Sequence, residues 1–242
     1  MIKKIMATFG FSYRYRLSTR DPKHPERYLG DPAVWDRVEK WAVKIMQRNA
    51  IDYYDGVGEA AFYAPKMDLM ATDALGREWQ LSTVQIDFVM PERFNLKYIS
   101  TQGKEERPVM IHRAILGSTE RFMMILLEHY AGALPLWLSP IQVRIASVGK
   151  DHQNFCHDLS MTFNHEGIRT EVDDNNETIG NKIRKASNEK IPYTLVVGDK
   201  EIQSGKLAVR IRGEKKVIEM ESEAFIAHLK RSIADRSSSL NL

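Results

Sequence analysis

Apolar positions recur along this chain at helical spacing in some segments and alternate in others. Residues 12–17 have strand-like composition and run into Ser18-Thr19-Arg20-Asp21-Pro22, the start of a Pro- and charge-rich loop. Asp31-Pro32 then predicts a helix start, with Asp as N-cap and Pro in the first helical position. Trp35, Val38, Trp41, Ala42, Ile45 and Met46 follow at helical spacing, which predicts one buried face. Two extended runs, 60–72 and 77–89, flank Asp73-Ala74-Leu75-Gly76 and predict a hairpin. A second helix is predicted over 119–130, ending before Gly132.

Pro135-Leu136-Trp137-Leu138-Ser139-Pro140 breaks the pattern, and a domain boundary is expected there: 1–138 and 139–242. Beyond it strands alternate with helices. Strands are expected at 143–148, 169–172, 193–197 and 207–211, with helices at 152–165, 178–189 and 221–233. That rhythm predicts a mixed or mostly parallel sheet with helical cover. The chain is therefore expected to be α/β (α+β): an antiparallel sheet with helices, followed by an α/β domain with a mixed sheet.

Composition adds exclusions. The 242 residues carry a formal net charge of +3, which permits a nucleic-acid partner without arguing for one. Cys156 is the sole cysteine, so no internal disulfide can form, and a reducing compartment is the default. No run reaches the ~18 apolar residues of a membrane span, and Met1–Ala7 lacks a signal-peptide core. The expected location is cytoplasmic, with no membrane partner.

Candidate chemistry concentrates after the hairpin. Alternation puts Val84, Ile86 and Phe88 on one strand face and Thr83, Gln85 and Asp87 on the other. Such a polar row can hold a small polar ligand. The same alternation suits a sheet with one face in solvent. Gln80 has the wrong parity for the row, and joining it requires a bulge or twist. Ser118 is a good N-cap, but Arg121 stands where a capping box has Glu or Gln. A cation there opposes the helix dipole unless an anion such as phosphate binds the same end. The alternative is an Arg121 that reaches solvent or pairs with Glu120. His112 in an apolar stretch reads as a core residue or as a ligand. Cys156 with His152 and His157 does not meet structural zinc spacing. Lys182, Arg184, Lys185, Lys190, Arg210 and Arg212 have a texture suited to RNA phosphate or to a solvated face.

Several of these segments together resemble the threonyl-tRNA synthetase family. Met110-Ile111-His112-Arg113-Ala114-Ile115-Leu116-Gly117-Ser118-Thr119-Glu120-Arg121-Phe122 is similar to its third signature motif. Gly58-Glu59-Ala60-Ala61-Phe62-Tyr63-Ala64-Pro65-Lys66 resembles its Gly-Glu-Gly-Ala-Phe-Tyr-Gly-Pro-Lys segment. Thr83-Val84-Gln85-Ile86-Asp87-Phe88 resembles its threonine-pocket strand. Leu17-Ser18-Thr19-Arg20 and Gly198-Asp199-Lys200-Glu201 also fit, in order and across essentially the whole chain.

The resemblance implies ATP-dependent activation of threonine and its transfer to threonine tRNA, on part of a class II catalytic domain (1–138) and an anticodon-binding domain (139–242). It implies Tyr63, Thr83 and Gln85 around threonine, Lys66 beside the reacting carboxylate and phosphate, and Gln80 and Arg121 on ATP. Lys66 and Arg121 are the implied catalytic residues. His112 is implied as one of three zinc ligands, and Asn176, Glu201 and Arg210 as facing the anticodon. ATP with magnesium, zinc and a homodimer come with the family. Set against it, the sequence has no counterpart of the editing domain, the first two class II motifs or the other two zinc ligands. A tRNA-binding module without catalysis and one half of a split synthetase are therefore alternative expectations. Ala60, Ala64 and Ser82 replace family glycines, and strain is expected if those positions need positive φ.

Overall fold

A computed structural model describes residues 1–242, which separate into two units, Met1–His129 and Tyr130–Leu242. In the first, α1 (Ile2–Phe9) is followed by β1 (Tyr13–Thr19), α2 (Pro32–Arg48), β2 (Tyr53–Val57), β3 (Lys66–Thr72) and β4 (Glu78–Asp87). Then come α3 (Val89–Arg93), the short strands β5 (Tyr98–Ile99) and β6 (Glu105–Glu106), β7 (Met110–Ala114) and α4 (Thr119–His129). The main sheet has the order β2-β1-β3-β4-β7, with β1 and β2 parallel and the other pairs antiparallel.

The α2 start is as predicted: Asp31 accepts from the Ala33 N–H at 2.8 Å and Pro32 occupies the first helical position. Trp35, Val38, Ala42 and Met46 are buried, but Trp41 and Ile45 are exposed. The buried stripe is thus narrower than the periodicity suggested, and Trp41 sits at its margin beneath the Arg37 guanidinium. The run 60–72 is a strand only from Lys66; ahead of it Ala61 and Ala64 bridge to each other in a turn. Ala60, Ala64 and Ser82 all avoid positive φ, so the expected strain is not there. Helix α1 was not anticipated, because Met1 supplies no side-chain cap to announce it.

The second unit comprises β8 (Val143–Ser147), α5 (Gln153–His165), β9 (Thr170–Asp173), α6 (Ile179–Asn188), β10 (Tyr193–Val197), α7 (Asp199–Ser204), β11 (Lys206–Ile211), β12 (Val217–Glu221) and α8 (Ser222–Ala234). Its sheet order is β12-β11-β10-β8-β9; β8 is parallel to both β9 and β10, and β11 is antiparallel to β10 and β12. The predicted mixed sheet is present. One face packs Val143, Ile145, Leu195 and Val197 against Phe163 of α5 and Phe225 of α8.

The sequence placed the break at 138/139, whereas the units divide at 129/130. Leu136 is part of the second core. Arg212 donates to the carbonyls of Ala133 and Leu134, and Arg169 to those of Trp137 and Ser139. No helix is long and apolar enough to cross a membrane.

Candidate substrate site and nucleic-acid interface

Directly opposed residues in a sheet share a face. Gln85 pairs with Lys66 on one side and His112 on the other, and Thr83 with Asp68 and Ala114. On the next strand Asp68 opposes Arg16, and Lys66 opposes Ser18. One face therefore gathers Arg16, Ser18, Lys66, Asp68, Thr83, Gln85 and His112. Between the pairs Leu69–Ser82 and Met70–Gln80 the register shifts, leaving Leu81 as an extra residue on β4. This bulge reverses parity and brings Gln80 onto the face of Thr83 and Gln85.

Two features hold the bulge. Gly117 has φ +71°, and a Cβ there would stand 2.8 Å from the Leu81 carbonyl oxygen. Just beyond it, Ser118 accepts from the Arg121 N–H at 3.3 Å and caps α4, as its sequence position predicted. From that first turn the exposed Arg121 donates to the Gln80 carbonyl at 3.1 Å.

At the β7 side, the Tyr63 hydroxyl donates to Gln85 Oε1 at 2.6 Å, and the Tyr63 ring lies edge-on to His112, 5.5 Å between centroids. His112 Nε2 is 2.8 Å from Asp87 Oδ2. Asp87 is fully buried, and its other oxygen accepts from the Val89 and Met90 N–H groups at 2.9 Å, fixing the carboxylate at the start of α3. That carboxylate orients the imidazole and leaves Nδ1 for another partner, as carboxylate–histidine pairs at metals do. No three His, Cys, Asp or Glu side chains stand close enough together to hold a metal, so His112 is a single donor and the residues present do not make a zinc site.

On the β1 side the charges meet at Asp68. Its Oδ2 accepts from Ser18 Oγ at 2.7 Å and Arg16 at 3.1 Å, with Lys66 Nζ 3.3 Å away. Arg16 also donates to Gln80 Oε1 at 3.3 Å and pairs with Glu59 at 3.2 Å. Arg16 Nε, Asp68 Oδ1 and Thr83 Oγ1 are buried without a hydrogen-bond partner. Sequence reasoning missed Arg16, Ser18 and Asp68. Their signal was the alternation Arg14, Arg16, Ser18 on one strand and Lys66, Asp68 on the next, legible only once both strands are paired.

In the second unit, Asn176 lies in the exposed segment after β9 and Glu201 in α7 after β10, both beyond the carboxyl ends of parallel strands. Glu201 also accepts from the Gly198 N–H at 3.0 Å and closes the start of α7. Arg210 lies on β11 opposite Thr194, toward the other end of β10, and lines a small cavity with Ile183 and Ser187 of α6. The three are thus not gathered at one point.

The basic texture needs correction. Lys182 is 2% exposed and donates to the carbonyls of Ser147 and Asp173 at 2.8 and 2.9 Å. Lys185 pairs with Glu177, Lys190 donates to the Ala131 carbonyl, and Arg212 is held by main-chain carbonyls. Arg184 remains exposed, and Arg210 is half-buried. Cys156 is fully buried; burial pushes its thiol up to about 11, although nearby Lys182 pulls the other way. His152 pairs with Asp199 and His157 with Asp174, so neither joins it at a metal.

Residues 1–130 match the family model of the tRNA synthetase class II core domain (G, H, P, S and T), and residues 142–232 match that of the anticodon binding domain. The chain is 44% identical over 242 residues to a threonine–tRNA ligase of Thermotoga neapolitana, covering 100% of this chain and 37% of that protein. With the corresponding protein of Carboxydothermus hydrogenoformans it shares 44% identity over 236 residues, 98% of this chain and 37% of the relative. The chain thus spans little more than a third of the length of these curated relatives. Among solved structures, the RNA binding domain of threonyl-tRNA synthetase from Cryptosporidium parvum Iowa II superposes with a TM-score of 0.88. It is 31% identical, over 100% of this chain and 58% of that one. Prolyl-tRNA synthetase from the same organism, 16% identical, shares the fold at a TM-score of 0.56 over 71% of this chain and 37% of its own.

Proposed function

The chain belongs to the class II tRNA synthetases, in the threonine–tRNA ligase family, and from that premise we propose that it supplies the threonine- and ATP-binding face and the anticodon-reading unit of such a ligase. The observation that carries this reading is the bulge at Leu81, which puts Gln80, Thr83 and Gln85 on the same sheet face as Lys66. Threonine activation is an in-line attack by the amino-acid carboxylate on the α-phosphate of ATP, releasing pyrophosphate. Positioning and charge stabilisation do most of that work.

In this reading Tyr63, Thr83 and Gln85 hold the polar atoms of threonine. Lys66 and Arg121 stabilise charge on the phosphoryl oxygens, and Gln80, gripped between Arg16 and Arg121, meets the nucleotide. The cations on this face suit a polyanionic guest, and the partnerless Arg16 Nε and Thr83 Oγ1 keep donors free. Magnesium accompanies the ATP phosphates. His112 is offered as one zinc donor, and no step is assigned to zinc here. Asn176, Glu201 and Arg210 are the proposed anticodon contacts, reading unstacked bases at their edges. A homodimer and a cytoplasmic location complete the proposal; the buried lone thiol supports the last.

The test is calorimetric titration of the chain with non-hydrolysable threonyl- and valyl-adenylate analogues. Preference for the threonyl analogue is expected, and Gln85→Ala should weaken it about 10-fold, the worth of one hydrogen bond of about 1.4 kcal/mol. Equal affinity for both analogues, unchanged in Gln85→Ala, would refute the reading. A second reading, an RNA-binding unit alone, is favoured by the match of 100% of this chain to 58% of a structure described as an RNA binding domain. Binding of threonine tRNA over other tRNAs, with no adenylate binding, would select it.

A further inference from the structure

Asp68 is the point at which the charged face converges. Its side chain has no exposure, and one oxygen receives Ser18, Arg16 and Lys66 together. We propose that Asp68 is a positioning residue that acts through Lys66: it fixes the ammonium for the phosphoryl oxygens, while Ser18 and Arg16 fix Asp68 itself. The inference rests on the reading of the face as an adenylate site.

The chemistry favours this over a purely stabilising role. Lysine is a point charge on a flexible four-carbon stem, and nothing in its own geometry sets where the ammonium stands. A buried carboxylate 3.3 Å away does so. Burying the carboxylate and its cations carries a desolvation penalty that apolar packing of the same shape would avoid. Nor is the cluster saturated. Arg16, Asp68 and Thr83 oppose one another in a single row across β1, β3 and β4, and each keeps one buried polar atom without a partner. Open hydrogen-bonding capacity of this kind, aligned in one row beside a candidate catalytic lysine, suits a polar guest.

A double-mutant cycle decides it, read as the affinity of the chain for a non-hydrolysable threonyl-adenylate analogue. Lys66→Met and Asp68→Asn should each weaken binding about 10- to 100-fold, the range a misplaced contact group produces. In the Lys66→Met background, Asp68→Asn should cost under about 3-fold, because the group it positions is gone. The same fold loss from Asp68→Asn in both backgrounds would assign Asp68 a structural role and overturn the proposal. No loss in Lys66→Met would instead sink the adenylate-site reading, and this proposal with it. Should Asp68→Asn fail to fold, Ser18→Ala takes its place: a loss of about 3-fold that vanishes with Lys66→Met supports positioning, and one that persists overturns it.

Discussion

Asp73 closes the β3–β4 turn with a carboxylate that accepts from the N–H groups of Leu75 and Arg77, from Arg77 Nε at 2.6 Å and from Trp79 Nε1 at 2.8 Å. Burial alone would raise its pKa. The donors from Trp79, Arg77 and the backbone outweigh burial and hold it at about 2, below its ordinary 3.8. A depressed folded-state value means the stabilisation is complete above the unfolded pKa and is lost as pH falls toward the folded one. Asp73→Asn should therefore lower the stability of the first unit at pH 7 and flatten its pH dependence between roughly pH 4 and pH 2. Acid titration followed by Trp79 fluorescence reads this; parallel acid limbs in the two proteins would exclude Asp73 as the source. Lys182 invites a second residue-scale test. Its ammonium ties the ends of β8 and β9, and Lys182→Met leaves two buried carbonyls without their donor. Urea melts of the second unit should show a loss of about 2–3 kcal/mol. If the loss is instead negligible and RNA affinity falls, Lys182 is a phosphate contact after all.

Among the elements, the junction of β4 with the start of α4 has the least room for change. Gly117 needs its left-handed backbone, and its Cα faces the Leu81 carbonyl across the bulge. Gly117→Ala should cost about 1–3 kcal/mol from strain alone. It should also push α4 away, so that Arg121 loses the Gln80 carbonyl and adenylate-analogue affinity drops. An unchanged melt and affinity would mean that the bulge is not pinned there. Local rules foretold much of this: Asp31-Pro32 for α2, Ser118 for α4, the turn at Asp73, and the strand 193–197. They failed where the deciding partner is distant. Trp41 has the spacing of a core residue, but what packs on α2 decides its fate. Lys182 and Arg212 read as surface cations, and only the sheet shows that main-chain carbonyls claim them. Gln80 could be placed with Thr83 only by resemblance or by a bulge, and a bulge is a property of two paired strands.

At the scale of the whole chain, the stretch from Tyr130 to Ser139 decides where one unit stops being self-sufficient. Its Pro-rich sequence looks like a linker, yet it packs as part of the second unit. Leu136 is 1% exposed in that core, and removing such a side chain costs about 2–5 kcal/mol. Arg212 and Arg169 would lose main-chain acceptors, and burial, which lowers the Arg212 pKa, makes a lost acceptor costly for a guanidinium that stays charged. Gln142, fully buried, would lose the Leu136 carbonyl to which its amide donates at 2.9 Å. A fragment beginning at Tyr130 should therefore unfold in one cooperative step. One beginning at Ser139 should be less stable by at least about 2 kcal/mol, the Leu136 term alone sufficing. If the proposed function holds, threonine-tRNA binding should follow the same order, because β11, which carries Arg210, and β9 and β10, which lead into the segments of Asn176 and Glu201, rest on that core. Urea melts of the two fragments compare them directly. Equal midpoints would return the Pro-rich stretch to the status of a linker and restore the boundary at 138/139.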